Sequence, residues 1–288
     1  MSSTVTEPRT AQLRTALDAA KAAGDVLRNG RTHPPEVDQV FAHDIKLAAD
    51  RNAEQAILQI IREQDATAEI HTEEAGDFDG TSDSIWYIDP LDGTMNYYHG
   101  QHHYCTCVGV YQREPDPTGL GRPLAGVVLA PDHDEVFMVQ AGSTATCNDV
   151  HLNCSPVSQL KDAIVGTSFG SRKGTMTTMS QLFAELLPAT RKLRILGSCG
   201  LDICQVAAGR LSALYQRDIR VWDFAAAALM VQQAGGRVEI QPGDRPDTWH
   251  ILASAPGCYQ ELRSRIHECT PPGETFELTS EGWRSGRT

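Results

Sequence analysis

An α/β fold is predicted for this 288-residue chain by three observations: two amphipathic helical segments open it, a group of β-prone runs follows, and strands alternate with helices from Val157 onward. Ala11 to Leu27 carries Leu13, Ala16, Leu17 and Ala20 at helical spacing, and Ala48 to Ile61 repeats the pattern with Ala53, Ile57, Ile60 and Ile61. Strands are predicted around Ile85 to Ile88, Tyr104 to Tyr111, Ala125 to Ala130 and Glu135 to Gln140, with the Pro- and Gly-rich Glu114 to Gly121 as a loop between two of them. Ile164 to Thr167, Leu193 to Leu196 and Leu211 to Tyr215 then read as strands. They alternate with helices over Thr175 to Leu187, Ser198 to Ala208 and Asp223 to Ala234. His250 to Ser254 reads as the final strand, a helix follows over Gly257 to His267, and the tail from Pro271-Pro272 to Thr288 reads as extended or mobile. The chain thus divides into an N-terminal half, 1–156, a C-terminal half, 157–270, and a tail, 271–288.

Composition narrows the function. A hydrophobic content of 41% marks a globular chain, long enough for a large core. A net charge of −12 disfavours a nucleic-acid or anionic-membrane surface, so neither is expected as a partner, and an anionic substrate would need local metal charge to enter. No apolar run reaches the roughly eighteen residues of a membrane span, and the polar Met1 to Arg9 start is not a secretory signal; a cytoplasmic protein is expected. The eight cysteines show no C-x₂-C zinc spacing and read as reduced core thiols. Cys105 and Cys107 alternate in a predicted strand and so share a face, where buried small hydrophobes explain them better than a redox pair.

The chemistry concentrates in Trp86-Tyr87-Ile88-Asp89-Pro90-Leu91-Asp92-Gly93-Thr94-Met95-Asn96-Tyr97. Pro90 biases Asp89 towards extended geometry, which predicts a strand ending where the carboxylates begin. Gly93 permits a tight turn, and a helix opening over Thr94 to Asn96 would aim free N–H groups at a phosphate. Asp89 and Asp92 are hard oxygen ligands of the kind Mg²⁺ takes, although the same residue types also build surface turns. Two further acidic clusters accompany them. Glu73-Glu74 follows the β-prone Ile70-His71-Thr72 and precedes a flexible, acidic Gly76 to Gly80 stretch, and paired acids of this sort are usually just solvated. Asp223 opens the apolar run that ends at Gly235-Gly236, a position where an Asp ordinarily serves as a helix N-cap.

All three clusters, in this order, resemble the inositol monophosphatase family, Mg²⁺-dependent and typically lithium-sensitive phosphatases. The resemblance runs from Asp44-Ile45-Lys46-Leu47-Ala48-Ala49-Asp50-Arg51-Asn52-Ala53-Glu54, through Glu73-Glu74 and the D-P-L-D-G-T-x-N-Y run at Asp89, to Trp222-Asp223 and Ala234-Gly235-Gly236. It implies an αβαβα layered sandwich of the inositol monophosphatase and fructose-bisphosphatase type, with metals between the two halves and a homodimeric assembly. By resemblance, Glu73, Asp89 and the Leu91 carbonyl hold one Mg²⁺, and Asp89, Asp92 and Asp223 a second. Asp89 bridges them, and a third, weaker ion leans on Glu73. Thr94, with Glu73 and Asp50, would orient and deprotonate the attacking water, while Gly93 and Thr94 N–H groups hold phosphate oxygens. Such a site needs no covalent nucleophile, because phosphoryl transfer asks the protein mainly to position groups and neutralise developing charge.

The resemblance further implies that Asp92, Gly93, Thr94, Ser171, Gly197, Ser198, Cys199, Gln216 and Asp223 face the substrate. Gly197-Ser198-Cys199 matches the family's small-residue turn with Cys where Ala is usual, and Gly170-Ser171-Arg172-Lys173 occupies the region of another substrate-facing loop, its basic pair read as plain surface charge ahead of a contact to a second anionic group. Gln216 stands where inositol-specific members carry an acidic residue; it is read either as a polyol contact or as a solvated strand-end residue. Ala141 to Asn148 departs from the family's G-A-F-x-N-G hairpin. His102 and His103 read as structural or surface histidines rather than ligands of a carboxylate Mg²⁺ site. The expected activity is hydrolysis of a small-molecule phosphate ester, an inositol monophosphate or a related cyclitol or sugar phosphate. Phosphatases of the same family for histidinol phosphate, 3′-phosphoadenosine phosphate or fructose bisphosphate are alternatives, as is a regulatory binding protein that keeps the fold.

Overall fold

The computed structural model describes residues 10–31, 35–40, 45–169, 173–270 and 273–286. Helix α1 (Ala11–Gly30) starts where Thr10 Oγ1 accepts the Leu13 N–H at 3.2 Å, and its Leu13, Ala16, Leu17, Ala20, Ala23 and Leu27 stripe is buried. A short antiparallel pair, β1 (Val37–Val40) and β2 (Ile45–Leu47), leads into α2 (Ala48–Gln64), which packs beside α1. An eight-stranded sheet follows, built from β3 (Glu69–Thr72), β4 (Gly76–Phe78), β5 (Ser84–Asp92), β6 (Cys105–Gln112), β7 (Arg122–Ala130), β8 (Glu135–Gln140), β9 (Thr146–Cys147) and β10 (Val150–His151), with the short α3 (Thr94–Tyr98) between β5 and β6. Its order is β10-β9-β8-β7-β6-β5-β3-β4, antiparallel except where β3 meets β5.

The rest of the chain builds a seven-stranded mixed sheet. β11 (Ile164–Thr167), α4 (Lys173–Ala189), β12 (Lys192–Arg194), α5 (Cys199–Ala207), β13 (Ala213–Ile219), α6 (Ala225–Gln233), β14 (Arg237–Pro242), β15 (Trp249–Ser254), α7 (Pro256–Cys269), β16 (Phe276–Thr279) and β17 (Gly282–Ser285) follow in that order. In the sheet, β12-β11-β13 are parallel and β15-β14-β16-β17 continue antiparallel.

Alternation along each strand fixes the layers. Trp86, Ile88, Val108, Val110, Val127 and Leu129 join α1 and α2 in one core. The opposite faces of the same strands, with Tyr87, Cys107, Val128 and Phe137, pack on α5 and α6, which also bury Leu214, Val238, Ile240 and Ile251 of the second sheet. Ala213, Tyr215 and Leu252 face outward against α4 and α7. The layers are therefore α1/α2, sheet, α5/α6, sheet, α4/α7, the αβαβα order expected. Among the described residues, no helix is long and apolar enough to cross a membrane.

Three expectations are corrected. Strand β5 does not end at Ile88 but runs on to Asp92, because a bulge between Asp89 and Asp92 absorbs Pro90. Gly76 to Phe78 is no flexible stretch but β4, paired with β3. Ser254 does not end the last strand: β14 precedes β15, and residues 276–285 of the supposed tail form a hairpin whose β16 pairs with β14 while Phe276, Leu278 and Trp283 enter the core. The 141–148 segment, which departs from the family's pattern in sequence, leads into a hairpin turned by Asn148 and Asp149 at φ 47° and 63°, the doubly left-handed conformation of a type I′ turn.

Small residues let the middle layer close. A Cβ at Gly126 of β7 would stand 2.0 Å from the Ala226 carbonyl oxygen, and one at Gly109 of β6 would stand 3.0 Å from the Ala225–Ala226 peptide. The run Ala225 to Ala228 thus lies directly on two glycines of the first sheet. Gly126→Ala must push α6 away from the sheet and is expected to cost about 1–3 kcal/mol, as overpacking of a close contact does. Urea denaturation reads this as a lowered midpoint; an unchanged midpoint would show that α6 is free to shift.

Candidate active site

A regular strand would send Asp89 and Asp92, three residues apart, to opposite faces. In β5 the bulge pairs Asp89 with Cys107 and Asp92 with Cys105, and since those cysteines alternate on β6, both carboxylates emerge on the face towards α5 and α6. Asp89 Oδ1 accepts the Leu91 N–H at 3.0 Å. Gly93, at φ 92°, then turns the chain into α3; a Cβ there would meet the His103 carbonyl oxygen at 3.0 Å and Ser198 Cβ at 3.2 Å. Thr94 Oγ1 lies 3.1 Å from the Leu91 carbonyl and 3.3 Å from Asp50 Oδ1.

Asp92 is seated on the start of α5. Its carboxylate accepts Ser198 Oγ at 2.6 Å, the Gly200 N–H at 2.7 Å and the Cys199 N–H at 3.1 Å. Asp50 Oδ2 accepts the Leu47 N–H at 2.8 Å at the head of α2. Glu73 sits on the turn between β3 and β4, and buried Glu54 holds that turn by accepting Thr72 Oγ1 at 2.6 Å and the Glu74 and Ala75 N–H groups at 3.1 and 3.0 Å. Lys46 Nζ reaches Glu74 Oε2 at 2.8 Å. Asp223 ends a single 3₁₀ turn and accepts the Arg220 N–H at 2.7 Å, so it braces the approach to α6 rather than capping α6 itself, whose N-cap position is Phe224.

These carboxylates act on one another. Burial, then repulsion from Asp223, Glu74 and Asp50, pushes the Glu73 carboxyl well up, with Lys46 opposing. Asp89 is likewise held well up by burial and by Glu73, Asp92 and Asp223. Burial raises Asp92 too, against the α5 donors that lower it. Asp50 is pushed up to about 7 by burial, with Glu74 adding to the shift. Among the described residues, no three of Glu73, Asp89, Asp92 and Asp223 bring one oxygen each within 4.8 Å of one another. The cluster is an open ring of acidic oxygens fed by both halves of the chain.

The sequence model of the inositol monophosphatase family matches residues 10–269. The chain belongs to that family. It is 33% identical over 270 residues to the Nus factor SuhB of Pseudomonas aeruginosa, covering 90% of this chain and 97% of that one. It is 34% identical over 232 residues to inositol monophosphatase 1 of Solanum lycopersicum, covering 78% and 82%. The crystal structure of the extragenic suppressor protein suhB from Bartonella henselae superposes with a TM-score of 0.81 at 27% identity, over 89% of this chain and 98% of that one. Family membership implies a phosphate-ester substrate and a metal-dependent site. Relatives named Nus factor mean that membership carries no exclusion of nucleic acid, which rests here on net charge alone.

Of the residues expected in the inositol monophosphatase site, Glu73, Asp89, Leu91, Asp92, Gly93, Thr94 and Asp50 stand together, and Asp223 approaches from the second half. Ser198 and Cys199 meet Asp92 directly, and exposed Gly197 lies against Asn96, whose Nδ2 donates to the His103 and Leu196 carbonyls at 2.7 and 2.8 Å. Gln216 is corrected in one respect: it is 5% exposed in the interior of β13, on the Leu214 face that meets the middle layer, and is no solvated strand end. Gly170, Ser171, Arg172 and Asp44 lie outside the described residues, as does the Lys173 side chain. His102 Nδ1 pairs with Asp132 Oδ2 at 2.8 Å and His103 Nε2 with buried Asp202 Oδ1 at 2.7 Å. The positioning residues missed were Glu54, Asp202 and the α5 N–H groups. Only Glu54 left a signal, an acid one turn after Asp50 on a helix face that also carries Ala53 and Ile57.

Asp50 sets a pH dependence. Up to about pH 7 the folded protein keeps a proton that an unfolded Asp, with its ordinary value of 3.8, has already released. The stabilisation is therefore complete below about pH 4 and is lost as pH rises to about 7, an effect on the order of 2–4 kcal/mol. Chelator-treated protein should show falling urea midpoints from pH 5 to 8, and Asp50→Asn should flatten that slope. A midpoint that rises over this range would contradict the assignment.

Proposed function

We propose that the chain is a Mg²⁺-dependent phosphomonoesterase that hydrolyses a small polyol phosphate, an inositol monophosphate or a related cyclitol or sugar phosphate, by attack of water. The observation that supports this most is the gathering of Glu73, Asp89, Asp92 and Asp223 in one acidic ring whose donors are all oxygen, with the Glu73 and Asp89 carboxyls each pushed well up by burial and by neighbouring acids, a set suited to a hard divalent cation. Glu73, Asp89 and the Leu91 carbonyl would hold one ion and Asp89, Asp92 and Asp223 another, with Glu73 supporting a third. The ions, when bound, acidify water and neutralise phosphoryl charge.

The protein's own part is positioning and proton transfer. Thr94 Oγ1, 3.3 Å from Asp50 Oδ1, accepts a proton from the attacking water as its own passes to Asp50, whose elevation to about 7 suits a proton acceptor near neutrality. Glu73 shares the orientation of that water. The N–H groups that open α3 at Gly93 and Thr94 are placed for non-bridging phosphate oxygens. Substrate hydroxyls meet Asp92, Asp223, the Gly197-Ser198-Cys199 turn and Gln216, and Ser171 is a further contact carried over from the family pattern. The halves 1–156 and 157–270 supply different parts of this site. A homodimer in the cytoplasm completes the reading.

A second reading, a regulatory binding protein, is favoured by the Nus factor relatives. Phosphate release across a panel of esters with and without Mg²⁺ decides between them. Asp89→Asn keeps side-chain volume but removes the shared ligand and one repelling charge. It is expected to lower kcat by at least about a hundredfold, on the scale of losing a group that stabilises the transition state, while the urea midpoint stays level or rises. Full turnover by this variant would remove the metal mechanism. Gln216→Glu should reorder kcat/KM among inositol, sugar and histidinol phosphates in favour of amine-bearing or hydroxyl-rich esters, by about 1–2 kcal/mol. An unchanged ranking would take Gln216 out of the substrate site.

A further inference from the structure

The second side of Asp92 is lined by sulfur. Cys105 Sγ lies 3.6 Å from Asp92 Oδ2 and 3.6 Å from Cys107 Sγ, and the ligand atoms of all three residues fall within 4.8 Å of one another. Two thiolates at about 2.3 Å and one carboxylate oxygen at about 2.0 Å from a tetrahedral ion would stand roughly 3.5–3.8 Å apart. The two edges that meet at Cys105 match those values, and the third, between Cys107 and Asp92, lies within 4.8 Å. Ser198 Oγ, 3.5 Å from Cys105 Sγ, adds an oxygen beside the same group.

We propose that Asp92, Cys105 and Cys107 form a binding site for a thiophilic divalent cation of the Zn²⁺ class, distinct in donor chemistry from the all-oxygen ring and sharing Asp92 with it. Thiolates select soft and borderline ions, whereas Mg²⁺ takes oxygen. Binding displaces one proton from each thiol to solvent and leaves a two-sulfur, one-carboxylate coordination. The other three-group set within the same distance, Asp218, Asp244 and His250, differs in kind: it offers no sulfur, and Arg217 already neutralises Asp244. Cys105 and Cys107 carry no such counter-ion among the described residues. An ion bound there draws Asp92 out of the oxygen ring and inhibits turnover. That consequence rests on the phosphatase reading; the site itself does not.

The test uses the full chain with Co²⁺ as the spectroscopic probe. Sulfur ligation gives an intense near-ultraviolet charge-transfer band and strong tetrahedral visible bands, which Co²⁺ in the oxygen ring lacks. One equivalent of Co²⁺ is expected to produce these bands and Zn²⁺ to bleach them. Cys107→Ala should abolish them and weaken Zn²⁺ binding by at least about 10–100-fold, the range that loss of a supporting group already costs a metal site. The same variant should keep its Mg²⁺-dependent turnover within about twofold while losing inhibition by Zn²⁺, its urea midpoint falling only as a buried truncation requires. Cys105→Ser provides a second variant should Cys107→Ala fail to fold. Absence of the sulfur bands in the wild-type protein, or their persistence in either variant, overturns the site. Sulfur bands without any effect of Zn²⁺ on turnover uphold the site and remove Asp92 from the proposed reaction.

Discussion

The bulge at Pro90-Leu91 is the constraint on which the site depends. It makes Asp89 and Asp92 neighbours on one face, and the polar groups it frees are recovered locally: Thr106 Oγ1 donates to the Pro90 carbonyl at 2.8 Å, and Asp89 takes the Leu91 N–H. Proline has no N–H to lose, so a break in the ladder costs least there. Once the strand is kinked, Gly93 can reverse the chain under Ser198, and α5 arrives with its N–H groups on Asp92. Cys105 and Cys107 acquire Asp92 as a neighbour by the same register.

That geometry sets charge against stability. Gathering half-buried Glu73 with buried Asp89 and Asp92 disfavours their ionised forms, and only part of the repulsion is relieved within the chain: α5 donors serve Asp92, and Lys46 opposes Glu73. Glu54 spends its carboxylate on fixing the Glu73 turn rather than on the ring. A scaffold has no packing reason to gather such groups, whereas a site that must attract cations does.

The middle layer has the opposite character. Ala225 to Ala228 and the facing Gly109 and Gly126 contribute almost no side-chain volume, so α6 lies against the first sheet at backbone contact. Closeness there carries Asp223, two residues before α6, to the edge of the acidic ring. A bulkier helix would leave the two halves holding separate fragments of one site.

Much of this was legible in the chain itself. Helical periodicity placed α1 and α2, whose buried stripes include the predicted residues except half-buried Ile60, and the Asp89 to Asn96 run with Glu73 and Asp223 carried the family resemblance. Legibility failed where pairing partners are distant in sequence. The β16–β17 hairpin has few apolar residues and is a strand pair only because β14 offers it an edge; Gln216 looks polar and solvated until β15 and the middle layer cover it. The seating of Asp92 on α5 spans more than a hundred residues, and the meeting of Cys105, Cys107 and Asp92 requires the strand register. Composition and spacing determined which chemical groups the protein owns, because local propensity and residue type are properties of short segments. Which of them touch was decided by tertiary structure alone, since a one-residue change of register or bulge would send the same carboxylates to opposite faces of the sheet.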